Sequence, residues 1–249
     1  VELVTNDNVR LVARWWRAET PRASVVLAHG FGASVTEGRV VALAEAIHGS
    51  GFDVLAYDAR GHGGSGGEAT LGDRERLDVE AAVDAAPGDR PVVLVGASMG
   101  AIAVLRYAAS APGRVAGVVT VSCPAEWRLP LNARGLLSAL LTQTWAGREF
   151  ARRWMGVRIA SRCARPAPPV ELIGHVGAPV AVLHGRRDPF IGVRDAELLY
   201  AAARAPRRLD LVDDLGHAFD GAVAPPGLSG VDWCLAESVA PAPRRAGGA

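Results

Sequence analysis

"PVVLVGASMG", residues 91–100, is a run of branched apolar residues that climbs to Gly96 and then sets Ser98 between small neighbours. An apolar run, then G-x-S-x-G, then the periodic stretch "AIAVLRYAAS" (101–110) read as strand, sharp turn and helix. A residue at such a turn takes a strained backbone. A Cβ two positions to either side would strike the neighbouring elements, which accounts for Gly96 and Gly100. Ala97 and Ala101 keep the turn narrow, and the following helix aims its free amides at the serine. Ser98 is therefore a candidate nucleophile, provided that the chain also supplies a base, an orienting acid and oxyanion donors.

Similar apolar runs recur on both sides of this stretch: "LVARWWRAE" near the start, "SVVLAHG" (24–30), "FDVLAYD" (52–58), "VAGVVTVSC" (115–123), "PVAVLHG" (179–185) and "RLDLV" (208–212). Continuous rather than alternating apolarity fits strands covered on both faces of a parallel sheet. Helical periodicity falls at 36–49, 75–86, 99–111, 193–204 and 228–238, so strands and helices alternate as in a doubly wound α/β fold. The first strand, preceded by the polar "TNDN", reads as part of an antiparallel hairpin that opens the sheet. Residues 124–170 break the rhythm with helical character, no strand, and a closing "ARPAPPVE". They read as a helical cap inserted into a core of 1–123 and 171–240. Residues 241–249 read as a flexible tail.

The 249 residues are 49% hydrophobic and carry a formal net charge of +1, an ordinary globular balance that offers no electrostatic reason for a nucleic-acid partner. Every basic residue is arginine, and the lack of lysine excludes a P-loop, a Schiff base and a Ser-Lys dyad. "GHGGSG" (61–66) satisfies the dinucleotide fingerprint, but no helix opens on its last glycine and the reading is set aside. No metal motif is present, and no metal or cofactor is expected. Three widely spaced cysteines, Cys123, Cys163 and Cys234, suggest neither disulfides nor zinc and favour a reducing compartment. No apolar run approaches the roughly 18 residues of a membrane span, and no signal peptide is visible. A cytoplasmic location is the expectation.

Reacting groups in such a sheet gather beyond the carboxyl ends of the strands. His48 falls inside a helix and His175 in a return loop, while His29, His62 and His184 each precede a glycine in a tight turn. His217, in "LVDDLGHAF" after the last strand, is the candidate base. Asp188, just past the strand at 179–184 and braced by Pro189, is the candidate orienting acid, with Asp220 as the weaker alternative. The amide of Met99 and that of Phe31, in the "HGFG" loop (29–32), are the candidate oxyanion donors.

The order Ser98, Asp188, His217, the "HGFG" loop and "DARGHGGS" (58–65) resemble the α/β-hydrolase superfamily over residues 20 to 237. Within it the chain is similar to the small serine esterases and lipase-like hydrolases of the serine aminopeptidase type. The resemblance implies a mostly parallel sheet of about eight strands flanked by helices, with 124–170 standing where the family carries its cap. It also implies a Ser98–His217–Asp188 triad that cleaves a small acyl ester or thioester, or passes the acyl group to an alcohol. A non-catalytic ligand-binding relative is the remaining alternative. His29, Trp127, Leu137, Leu141, Trp145 and Trp154 are the expected substrate contacts. Eight arginines stand against Glu126 and Glu149 in 124–168, and Arg152 and Arg153 are the expected readers of any anionic group.

Overall fold

The computed structural model describes residues 1–127, 133–164 and 166–239. Its centre is a sheet whose inner strands are buried at every position: β3 (Ser24–Ala28), β4 (Asp53–Tyr57), β5 (Val92–Ala97), β6 (Gly117–Val121) and β7 (Val180–Gly185). With β1 (Glu2–Val4), β2 (Arg10–Trp16) and β8 (Arg207–Val212) they form eight strands in the order β1-β2-β4-β3-β5-β6-β7-β8. The hairpin strands β1 and β2 run antiparallel and all later pairings are parallel. At the far edge β8 is half-buried throughout and carries Arg207, Arg208 and Asp210, charges that discourage further strand pairing.

Successive strand residues point to opposite faces, and each face has its own apolar layer. Val26, Leu94, Val118 and Val182 pack with α2 (Glu75–Ala85), α3 (Met99–Ser110) and α7 (Val193–Ala202). Val25, Val93, Val95 and Val119 pack with α1 (Gly38–His48) and α8 (Ala224–Val239). Helix α8 starts four residues earlier than its periodicity suggests. Pro225 and Pro226 fall in its first turn, where a missing N–H breaks no intrahelical bond.

Between β6 and β7 the chain leaves the sheet. It runs through α4 (Ala133–Gln143), α5 (Trp145–Phe150) and a π-helical turn at Ala151–Met155, then returns by α6 (Pro169–Leu172). The two ends of this excursion are tied together. Val170 N–H donates to the Ala125 carbonyl at 3.0 Å, and Trp127 Nε1 donates to the Pro166 carbonyl at 2.6 Å. Its middle is stitched to the loop after β4: the Ala69 amide donates to Arg158 O at 2.7 Å, and the Arg158 amide to Gly61 O at 2.8 Å. The tail expected at 241–249 lies outside the described residues. Among the described residues no helix is long and apolar enough to cross a membrane.

Candidate active site

Ser98 stands between β5 and α3 at φ 50°, ψ −112°, a left-handed conformation that costs a non-glycine residue about 1–3 kcal/mol. Its surroundings hold it there. The Ser98 amide donates to Val121 O on β6 at 2.9 Å. A Cβ on Gly96 would lie 2.5 Å from the Gly100 carbonyl oxygen, and one on Gly100 would run into the Ala28 carbonyl. Both glycines are thus required by close backbone approach. The hydroxyl makes no capping bond to α3 and faces a cavity of about 1090 Å³.

The imidazole of His217, in the loop after β8, lines the same cavity. Its Nδ1 meets Asp188 Oδ2 at 2.8 Å, in the loop after β7. The other carboxylate oxygen, Oδ1, accepts the amides of Phe190 (2.8 Å) and Ile191 (2.9 Å), so the acid cannot swing away. Burial of the Asp188 side chain pushes its pKa up, but the His217 partner and the two amides outweigh burial and hold it below the ordinary carboxylate value. An ionised Asp188 fixes the proton of His217 on Nδ1 and leaves Nε2 as the basic nitrogen. Asp220, the alternative acid, instead accepts the Gly216 and Gly221 amides and shapes the turn. His184, at the end of β7, contacts Ile191 O through Nε2 at 3.1 Å and steadies the Asp188 loop.

One supporting residue escaped the sequence reading. Ser122, buried at the end of β6 with φ 50°, accepts the Ala218 amide on its Oγ at 3.1 Å. Ala218 itself has φ 56°, so the serine secures a bent backbone immediately after His217. Nothing in "VSCPA" announces this. The only signal is a polar residue ending an apolar strand beside the nucleophile's own.

The amides of Phe31 and Met99 have no hydrogen-bond partner among the described residues. The Phe31 loop is braced from below. His29 donates from Nδ1 to Gly30 O at 2.7 Å and accepts the Ala59 amide on Nε2 at 3.0 Å, which fixes its tautomer. Asp58 takes the Val35 amide at 2.7 Å and the Gly64 amide at 2.9 Å. The ring of His62 stands edge-on to both His29 and Phe31. Burial, with the neighbouring His62 second, lowers the His29 pKa to about 3, so the ring stays neutral. His29, expected to touch substrate, is therefore a buried support beneath the oxyanion loop.

The expected substrate contacts divide. Trp127 lines the cavity, whereas Leu137, Leu141, Trp145 and Trp154 lie outside its lining. Trp145 and Trp154 are 76% and 77% exposed. Arg152 and Arg153 also require correction as anion readers: both are exposed and both pair with Glu149, at 2.6 and 2.8 Å. The described residues contain no group of three or more His, Cys, Asp and Glu suited to a metal ion.

Strand order, the strained serine and the loop positions together define an α/β-hydrolase. The chain belongs to the family described as serine aminopeptidase, S33, whose model matches residues 19–162. It is 30% identical over 173 residues to the uncharacterized protein YqkD of Bacillus subtilis, covering 68% of this chain and 56% of that one. It is 36% identical over 127 residues to the human monoglyceride lipase, covering 48% of this chain and 41% of the lipase. The chain thus spans about half the length of these relatives. Among solved structures, an esterase of Pyrococcus furiosus superimposes with a TM-score of 0.73 at 25% identity, over 96% of this chain and 90% of that one.

Proposed function

We propose that the chain is a serine hydrolase acting on small carboxylic esters or thioesters through an acyl-enzyme on Ser98. The observation that carries this reading is the Asp188–His217 hydrogen bond of 2.8 Å, formed beside the cavity onto which the strained Ser98 opens. The names of the relatives, monoglyceride lipase and esterase, support an ester as the bond cleaved. In this mechanism His217 Nε2 takes the Ser98 proton as Oγ attacks the acyl carbon. Asp188 stabilises the imidazolium through Nδ1–H, and the Phe31 and Met99 amides donate to the oxyanion. His217 then gives the proton to the leaving alcohol or thiol, and water repeats the steps to release the acid. The helical interval 124–170 serves as the cap over this cavity, with residues 1–123 and 171–240 as the core.

The test is covalent labelling by a fluorophosphonate, run beside a hydrolysis panel of graded acyl esters, thioesters and aminoacyl amides. Labelling on Ser98 with ester or thioester turnover, both absent in Ser98→Ala, is expected. Full turnover in Ser98→Ala would end the proposal.

A further inference from the structure

The cap presents its surfaces in an unexpected sense. On α4, Leu136, Leu137 and Leu140 are exposed, while Ser138, Thr142 and Gln143 line the cavity. On α5 and the returning strand, Trp145, Phe150 and Trp154 are exposed, while Arg148, Ser161 and Arg162 line it. An acyl chain made only of methylenes gains nothing from such a wall, because its burial would strip water from hydroxyls, an amide and two guanidinium groups. The two cations are also uncommitted. Among the described residues neither Arg148 nor Arg162 forms an ion pair, and the one hydrogen bond of Arg148 is a 3.4 Å contact to the Thr142 carbonyl. Glu149, next in sequence, is occupied by Arg152 and Arg153. The carboxylates on the cavity lining, Glu37 and Glu126, come from outside the α4–α5 hairpin.

We infer that the substrate carries an anionic group, a carboxylate or a phosphate, and that Arg148 receives it with Arg162 beside it. This rests on the ester-hydrolase reading of Ser98 and names the substrate class of that same site. A guanidinium in a half-enclosed polar cavity binds such an oxyanion through paired, charge-assisted hydrogen bonds, whereas a neutral ester of equal length leaves those donors unpaired. The ester is then held between the cap cations at one end and Ser98 at the other.

The experiment compares 4-nitrophenyl hemisuccinate, hemiglutarate and hemiadipate with neutral 4-nitrophenyl esters of matched length, for wild type, Arg148→Met, Arg148→Lys, Arg162→Met and the control Arg152→Ala. One hemiester is expected to exceed its neutral partner in kcat/KM by about tenfold in the wild type. Arg148→Met should lower that rate by about 10- to 100-fold, mainly through KM, and change the neutral ester by less than about twofold. Arg148→Lys should recover part of the loss, Arg162→Met should show a smaller loss, and Arg152→Ala should match the wild type. Equal losses on charged and neutral esters, or no hemiester preference in the wild type, would overturn the inference while leaving the hydrolase intact. A protein that turns over no ester and takes no fluorophosphonate on Ser98 would instead defeat the parent reading. Calorimetric titration of Ser98→Ala with monomethyl glutarate and with inorganic phosphate still decides the inference in that case. Binding lost in the Ser98→Ala, Arg148→Met double variant supports it, and its persistence or absence in both refutes it. The same two ligands separate a carboxylate from a phosphate site.

Discussion

The loops beneath the strand ends and the helices above them are built on different physical terms. Below, each side chain near the reacting groups has its polar atoms spoken for: Asp188 by His217 and two amides, His29 by Gly30 and Ala59, Asp58 by Val35 and Gly64. Above, Trp145, Trp154 and Leu136 are exposed, and Arg148 has a single long hydrogen bond. The lower region is fixed in advance, as electrostatic stabilisation of a transition state requires. The upper region can change without disturbing that geometry. Chemistry and selectivity are thereby separated in space.

The sharpest way to break this contrast is to strike the lower region. Asp188→Asn keeps an oxygen for the Phe190 and Ile191 amides but removes the charge that orients His217. It should lower kcat by about 10⁴ with little change in melting temperature. Steady-state kinetics beside thermal unfolding checks it, and a loss below tenfold would mean that the pair is not a working unit.

Acid should attack the same region through stability. The folded protein keeps His29 neutral down to about pH 3, while the unfolded chain protonates it near 6.5. The unfolded state therefore binds the extra proton between those values. The His29 contribution is fully present above pH 6.5 and is lost as pH falls towards 3. Its slope approaches about 1.4 kcal/mol per pH unit within the window. Burial likewise lowers the pKa of His62 and of His184, so both act in the same direction. Denaturant titrations at several pH values should show His29→Gln less steeply dependent on pH by one proton. An unchanged slope would contradict the buried neutral ring.

A smaller effect is expected one step from the chemistry. Ser122→Ala frees the Ala218 amide and loosens the backbone behind His217, so kcat should fall by about tenfold at nearly constant KM, with about 1 kcal/mol lost from stability. Ser122→Thr, which keeps the hydroxyl, should restore most of the kcat. A purely structural role would lower stability and leave kcat untouched.

The smallest effect belongs to the outer cap. Trp154→Ala should shift stability by less than about 0.5 kcal/mol and neutral-ester turnover by less than twofold, since the ring lies outside the cavity lining. A large change in KM would show that the cap's apolar side does meet substrate.

The contrast also explains what could be read in the sequence. Elements fixed by local rules were legible: the apolar runs of β3, β5 and β7, the glycines around Ser98, and the loop positions of Asp188 and His217 after β7 and β8. Which way a short surface helix faces is decided by packing, and the arrangement of α4 and α5 was accordingly misread. Trp145 and Trp154 were taken as substrate contacts because aromatic side chains usually seek cover. One clue was available. Glu149 lies three and four residues before Arg152 and Arg153, the spacing of helical ion pairs, which leaves Arg148 as the uncommitted cation. Ser122 was not legible, because its partner Ala218 is 96 residues away and carries no distinctive side chain.

Rapid mixing of the protein with 4-nitrophenyl butyrate, followed by acid quench and peptide mapping, tests the central claim most directly. The account predicts a burst of about one equivalent of nitrophenol per chain and a butyryl group on the peptide that contains Ser98. Turnover with the acyl group on Cys163 or another residue, or an undiminished burst from Ser98→Ala, would contradict it.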